Sequence, residues 1–467
     1  MSATDVLAAI TDHLARVGTY TKHRDYLEGT HYWPFTGEEA RRAREWQLEV
    51  AVLNVCPAVR GAITDQVDLT GWDGPDADEV DALNLERVFG MVIDESVGVA
   101  DGYLHVWPNE TGDLRVLFHR ADQAGYLPSD TDPDRPRAFY KPLMTPDGHG
   151  RVNLYYRDGW VERWVTREPI ITIGPTTPGQ AAATSWPTDD ETRWRPYEDD
   201  DQPWSATFES VGLTGLPWVH VPFNPIGHGD HGRSILADVI PLQDKLNRAE
   251  TILSAGMEQY GETIKFLLTD EEDVTTTVTT AGTVTQNLQD SRYNPRAKRL
   301  YQFIARSAGQ FDPPSADNLL KIKADTLANI ALVAGLSPLD VGVTDLGNVP
   351  AAAALRLLAS RRTSTVRNYL SDVLTPALTE LVGIFGLDAA PVFRDPSPHD
   401  ESEDWEQAKT RQELGYTLED NLVAMGVDPV EAERVAMGAA VETAKAAAVL
   451  REAEITGLST RQVIQGT

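Results

Sequence analysis

The chain has a single cysteine, Cys56, in 467 residues. One thiol excludes an internal disulfide and a thiolate-held metal cluster, and it suits a reducing compartment. No apolar run reaches the roughly 18 residues that a membrane-spanning helix needs, and no basic N-terminal stretch leads into an apolar core. The expectation is a protein made in the cytoplasm that keeps off membranes. Positive charge is scarce: 41 Lys and Arg stand against 71 Asp and Glu, a formal net charge of -30. A surface this acidic repels a phosphate backbone, so any contact with DNA must be local or non-adhesive. Solubility alone would also account for the charge. Neither G-x-S-x-G nor H-E-x-x-H occurs. Gly342 and Gly347 have the spacing of a phosphate loop but lack the Lys and Ser/Thr that would contact phosphate and magnesium, which argues against ATP hydrolysis.

What is there is length enough for roughly two to four structural regions, with no internal repeat. Between Pro313 and Leu387 two helical patterns flank a Gly- and Pro-rich connection, GLSPLDVGVTDLGNVP, running from Gly335 to Pro350. Gly335 fits a helix C-cap, and Pro338 forbids continuation. On the near side, Ser315 can cap a helix whose apolar face reads Leu320, Ala324, Leu327, Ala331 and Ala334. On the far side, Ala351 to Phe385 places Val366, Tyr369, Val373, Ala377, Leu381 and Phe385 on one face, with a kink expected at Pro376.

Earlier in the chain, helices are predicted over 6–17, 37–54 and 76–99, with an aromatic turn at Tyr26-Leu27-Glu28-Gly29 and a short strand at 67–72. Hairpins are predicted for 103–107 with 114–119 and, through Asp158-Gly159, for 152–156 with 161–165. Pro175 to Pro203 reads as an exposed polar loop. Trp218 to Phe223 reads as a strand, and from Ile235 a seam of Val239, Leu242, Leu246, Ala249, Leu253 and Gly256 steps by fours and threes. Pro241 starts or kinks that helix. Residues 263–268 resume an extended pattern, and Val274 to Val284 is Thr-rich and β-prone. From Ser291 to Phe311 there are five basic residues, Arg292, Arg296, Lys298, Arg299 and Arg306, and no acidic one. That local inversion marks either an interface or a solvated surface. Residues 391–394 read as a short extended piece, and the C-terminal part from Glu403 reads as helical.

Two patterns carry possible chemistry. Gly227-His228-Gly229-Asp230-His231-Gly232 matches G-x-G-x-x-G after a strand and before a helix, but no parallel strand with an acidic ribose ligand follows, so a glycine hinge is the better reading. His228, Asp230 and His231 are ligand types, yet three side chains within four loop residues seldom converge on one ion. A solvated turn is expected there, and neither metal nor cofactor.

In order, Tyr26-Leu27-Glu28-Gly29, Gly232-Arg233-Ser234-Ile235 through Asp244-Lys245-Leu246-Asn247, the Thr-rich and basic excursion, Leu336-Ser337-Pro338, Gly347-Asn348-Val349 and Ala353-Ala354-Leu355-Arg356 resemble the portal protein of tailed bacteriophages, the head-to-tail connector. The resemblance spans most of the chain. It implies an α+β, mainly helical fold with a wing (1–232), a stem helix (233–261), a clip (262–312), a second stem helix (313–336), a tunnel loop (337–350), a kinked helix with wing return (351–402) and a helical crown (403–467). It implies a dodecameric ring at one capsid vertex of the virion, assembled in the host cytoplasm. Its partners would be the major capsid protein, the terminase packaging motor, head-completion and adaptor proteins, and double-stranded DNA passing through without sequence reading during packaging and ejection. Asp340, Thr344, Asp345 and Asn348 would face the channel, where anionic walls avoid gripping phosphate. Arg292, Arg296, Lys298 and Arg299 would serve docking at the clip. No catalysis is implied. The alternatives are a nucleotide-binding enzyme using Gly227–Gly232 and a monomeric adaptor binding a protein through its basic segment.

Overall fold

The computed structural model describes residues 3–30, 53–129, 131–132, 135–170, 172–173, 183–198, 203–213, 215–227, 230–260, 264–268, 301–303, 308–311, 317–337, 352–396, 417, 434 and 437. The chain divides into Met1–Pro396 and Ser397–Thr467. The elements below belong to the first unit; the helical crown expected at 403–467, apart from residues 417, 434 and 437, the helix at 37–54 and the Thr-rich run at 274–284 lie outside the described residues.

Helix α1 (Thr4–Glu28) continues well past the end predicted for it, because nothing between Gly18 and Tyr26 breaks it, and it stops at Gly29, whose φ of 72° only glycine adopts cheaply. Tyr26 and Leu27 therefore lie on the helix and not in a turn. After α2 (Cys56–Thr64) and strand β1 (Leu69–Asp73), the single helix predicted over 76–99 is two, α3 (Ala77–Ala82) and α4 (Glu86–Val99). They part at Asn84, which takes the left-handed conformation (φ 55°) that asparagine tolerates better than most residues.

The strands follow: β2 (Asp101–Pro108), β3 (Leu114–Arg120), β4 (Gly125–Leu127), β5 (Ala138–Met144), β6 (Gly150–Tyr156), β7 (Trp160–Thr166), β8 (Thr172–Ile173), β9 (Ala183–Thr184), β10 (Trp194–Pro196), β11 (Ser205–Thr207) and β12 (Trp218–Pro222). Both predicted hairpins form, β2–β3 and β6–β7, the second turning through Gly159 at φ 102°. One antiparallel sheet has the order β12-β2-β3; the other runs β10-β7-β6-β5-β4, with β11 also on β7. Strands β10 and β11 fall in or just after the stretch predicted to be loop. Strand side chains alternate between two cores. Tyr140, Leu154 and Trp164 pack with Val6, Ala9 and Ile10 of α1. Phe139, Tyr155 and Val161, on the other face, join Tyr103, Trp218, Val92 and the helices that follow.

Helix α5 (Ile240–Tyr260) begins later than the seam suggested; residues 235–239 form turns, and Pro241 sits near its start, where a missing N–H costs nothing. Val239, Leu246 and Ala249 of the seam are buried, but so are two polar residues, Gln243 and Asn247, each fully. Gln243 Oε1 accepts from the Val55 N–H (3.1 Å), and its Nε2 donates to Leu53 O (2.6 Å) and Asn247 Oδ1 (3.0 Å). Asn247 Oδ1 also accepts from the Leu53 N–H (3.2 Å). The side-chain amides thus pair with backbone that has no strand beside it. Gln243→Leu keeps the volume and strands two buried backbone groups, so chemical denaturation is expected to show a loss of about 3 kcal/mol. Tyr26, one helix away, donates to Asp244 Oδ1 (2.5 Å), joining two of the stretches on which the portal resemblance rests.

In sequence between α5 and the next helix lies a three-stranded sheet, β13 (Ile264–Leu268) between β14 (Tyr301–Phe303) and β15 (Ala308–Phe311), parallel to the first and antiparallel to the second. Helix α6 (Asp317–Ala334) returns and packs on α5, with Lys323 Nζ 2.5 Å from Glu250. Its buried face is Thr326, Leu327, Ile330 and Ala331, whereas Leu320 and Ala324, predicted for that face, are exposed. Gly335 ends it at φ 70°, as its sequence position predicts; Ser315 lies outside the described residues. The long pattern after the connection is α7 (Ala352–Tyr369), a π turn (Leu370–Leu374) and α8 (Thr375–Ile384). The break expected at Pro376 takes the form of that wider turn, in which the Thr375 hydroxyl donates to Leu370 O (2.8 Å). Strand β16 (Ala390–Phe393) then pairs with β1.

Candidate functional site

The channel residues Asp340, Thr344, Asp345 and Asn348, and the docking residues Arg292, Arg296, Lys298 and Arg299, lie outside the described residues. The frame around the connection is described. Leu336 and Ser337 are buried beyond the α6 cap, and Arg361 of α7 donates through Nη1 to Leu332 O (3.2 Å) near the end of α6. The helices leading into and out of 338–351 are therefore tied to each other by a cation on helix C-terminal carbonyls, where the dipole favours it.

Against α5, helix α6 buries only one face. Leu332 (66 % exposed) lies on the side away, and Ile322 and Val333 lie about three turns apart along one edge. The uncovered side of α6 is thus mixed, apolar at Ile322, Leu332 and Val333 and polar at the exposed Asp325 and Asn329 between them.

The glycine motif resolves differently from a nucleotide loop. Strand β12 is antiparallel to β2, and the helix begins only at Ile240, eight residues past Gly232, so neither the parallel crossover nor the helix N-terminus at the glycines is present. Gly232 instead packs backbone on backbone: a Cβ there would stand 1.9 Å from Ala100 O and 2.7 Å from Phe223 N. Next to it, His231 is not in a solvated turn. Its ring stacks on Tyr126 (4.3 Å), and its Nδ1 is 2.6 Å from Arg16 Nη1 and 3.6 Å from Asp101 Oδ2.

Asp101 is the centre of this cluster, fully buried at the start of β2. Its Oδ1 accepts from His220 Nε2 (2.7 Å) and the Gly232 N–H (2.8 Å), and its Oδ2 from the Tyr20 hydroxyl (2.5 Å). Arg16 pairs with Asp12 and donates to Tyr20 (2.9 Å) and Tyr140 (2.8 Å). Burial pushes the Asp101 carboxyl up, but the bonds and charge of His220 and His231 outweigh it and hold the group well below the ordinary carboxylate value. Burial drives His220 below its ordinary value, against its bond to Asp101. Burial and Asp101 together raise the Tyr20 hydroxyl, which stays a donor.

Asp101, His220 and His231 are donors of the kind that hold zinc or iron, with ligand atoms all within 4.8 Å of one another. The neighbours do not fit an ion. Both Asp101 oxygens already accept from N–H or O–H groups, and the guanidinium of Arg16 stands against the His231 nitrogen that would face the metal. A cation entering there would meet a fixed positive charge. The cluster is a polar joint between α1, β2, β12 and the glycine hinge. His228 lies outside the described residues. The sequence offered one signal for this joint: a lone acidic residue, Asp101, within the otherwise uncharged run from Ser96 to Trp107.

Two other features bear on chemistry. Burial, with Asp244 nearby, pushes the Cys56 thiol up to about 12, which leaves it protonated and a poor nucleophile. A cleft of about 1370 Å³ lies between Phe139, Trp218 and His220 on the sheets and Asn368, Asp372 and Thr379 on the helices.

No protein-family model matches the chain, and no curated protein does. Among solved structures, the chain is similar to the neck of an empty GTA particle computed with C6 symmetry, with 14% identity, a TM-score of 0.45 and coverage of 85% of this chain and 95% of that one. It is similar also to the neck of a native GTA particle computed with C12 symmetry, with 14% identity, a TM-score of 0.43 and coverage of 80% of this chain and 89% of that one.

Proposed function

We propose that the chain is the subunit of a portal-type ring at a capsid vertex, forming the channel through which DNA is packaged and ejected and the platform on which the packaging motor and head-completion proteins dock. The observation that carries this reading is the pair α5 and α6: two packed helices with a small β-sheet excursion between them in sequence, the second of which leaves Leu332 and Val333 exposed near its end. In a closed ring each copy presents one surface to its neighbour on one side and a different surface on the other, and the exposed Leu332 and Val333 give the neighbouring copy apolar area to bury.

The α5–α6 pair is the stem, the excursion with β13–β15 and the basic segment around Arg292, Arg296, Lys298 and Arg299 is the clip, and Asp340, Thr344, Asp345 and Asn348 line the constriction. The net charge of -30 keeps the wall from binding the polyanion it must pass. The chain does no catalysis, and the ring has twelve copies.

Mass photometry of the intact chain is expected to show a many-subunit species. Leu332→Glu combined with Val333→Glu is expected to leave only the monomer, with thermal unfolding unchanged, since Leu332 and Val333 are both exposed in the single chain. Rings that persist in the double variant would remove the C-terminal end of α6 from the interface.

A further inference from the structure

Where the β12-β2-β3 sheet meets the β5–β6 sheet, two imidazoles are shut in among rings. His105 of β2 is 3 % exposed and His119 of β3 is 8 % exposed. His105 stacks on Trp218 (4.1 Å between centroids, 13° between planes), meets Tyr155 of β6 edge-on at 5.1 Å, and lies 5.3 Å from Trp107 and 5.6 Å from His119. His119 in turn lies 5.1 Å from Trp218. Neither nitrogen of His105, nor Nε2 of His119, has a hydrogen-bond partner.

The charges around them all have one sign. Lys141 of β5 acts on both imidazoles, and His119 acts on His105. Arg151 and Arg163 stand beyond, against Tyr155. Among the described residues no carboxylate acts on either ring. An imidazole that charges here gains no acceptor, loses its water and adds to a cationic neighbourhood, so a proton is taken up only if the sheets part.

We propose that His105 and His119 make this contact an acid-sensitive joint, closed while both rings are neutral and opened when they take up protons. The direction follows from the ring chemistry. Burial, the charge of His119 and Lys141 hold His105 well below the ordinary histidine value; burial and Lys141 bring His119 to about 3. Groups held low in the folded state destabilise it as pH falls below about 6.5, the value they recover once exposed. At neutral pH their titration contributes nothing. The joint is separate from the Asp101 cluster and does not depend on ring assembly.

The test is amide hydrogen exchange on the full chain between pH 7.5 and 4.5, corrected for the intrinsic pH dependence of exchange. Residues 101–120 are expected to lose protection below pH 6.5 by up to about tenfold per pH unit for each imidazole that charges on opening. His105→Phe with His119→Phe, which keeps aromatic packing and removes these two titrations, is expected to reduce that acceleration to the part supplied by His220 of β12, which burial also holds low. Exchange of the imidazole C2–H, read by mass spectrometry on the unaltered chain, is expected to place both rings well below 6.5, and this decides the matter if the double variant does not fold. A double variant that accelerates as the native chain does, or native rings that titrate near 6.5, would overturn the proposal.

Discussion

Asp101→Ala is expected to lower the stability of the chain by about 3 to 5 kcal/mol, the typical cost of removing one partner from a buried charged network. The carboxylate serves three donors at once, the Tyr20 hydroxyl, the His220 ring and the Gly232 amide. Alanine would leave all three without an acceptor in a place water does not reach. Asp101→Asn retains one carbonyl for two of the donors and is expected to cost less than half as much. The pH dependence has a definite sign. Because the folded carboxyl is held below its ordinary value, its contribution is fully present above about pH 4 and fades as pH falls further. The difference between native and Asn proteins should therefore be flat from pH 5 to 8 and narrow below 4. Urea denaturation at a series of pH values measures it.

Gly232→Ala is expected to be as severe. The added methyl would meet backbone at 1.9 and 2.7 Å, and that backbone cannot easily withdraw. Phe223 N donates to Ala100 O (2.8 Å), Arg233 N to Phe223 O (2.7 Å) and Gly232 N to Asp101 (2.8 Å). Overpacking costs about 1 to 3 kcal/mol even where side chains can shift, and here only main chain is available. Loss of soluble protein, or a fall in the urea midpoint at unchanged slope, is the expected result. Gly227→Ala is the control. A Cβ there meets only the Asp230 carboxylate, at 2.9 Å, a side chain free to move. If Gly232→Ala were instead tolerated and Gly227→Ala not, the hinge would not be held by close backbone contact.

These two residues also show where sequence reading stops. Periodicity located both hairpins, the apolar steps of α5, the cap at Gly335 and the apolar face of α7–α8, because each depends on neighbours three or four residues away or on strict alternation. Strand β5 was missed. Pro136 stands before it and Pro142 inside it, and proline argues against a strand unless the sheet leaves that N–H unneeded. The split of the 76–99 helix hinged on one φ at Asn84. The polar joint was out of reach for another reason: Arg16, Asp101, His220 and His231 come from four separate elements, and His231 was set aside for want of the partners that only the fold supplies. Gln243 and Asn247 were passed over because a seam is read from its apolar members, while their amides pair with backbone some 190 positions away.

Electron microscopy of the intact chain tests the central claim most directly. The account predicts closed rings of many copies around an axial opening, with Gly335 and the Arg361–Leu332 tie between α6 and α7 turned toward that opening. Particles that stay single copies at every concentration, or rings whose Gly335 ends lie on the outer rim, would contradict it.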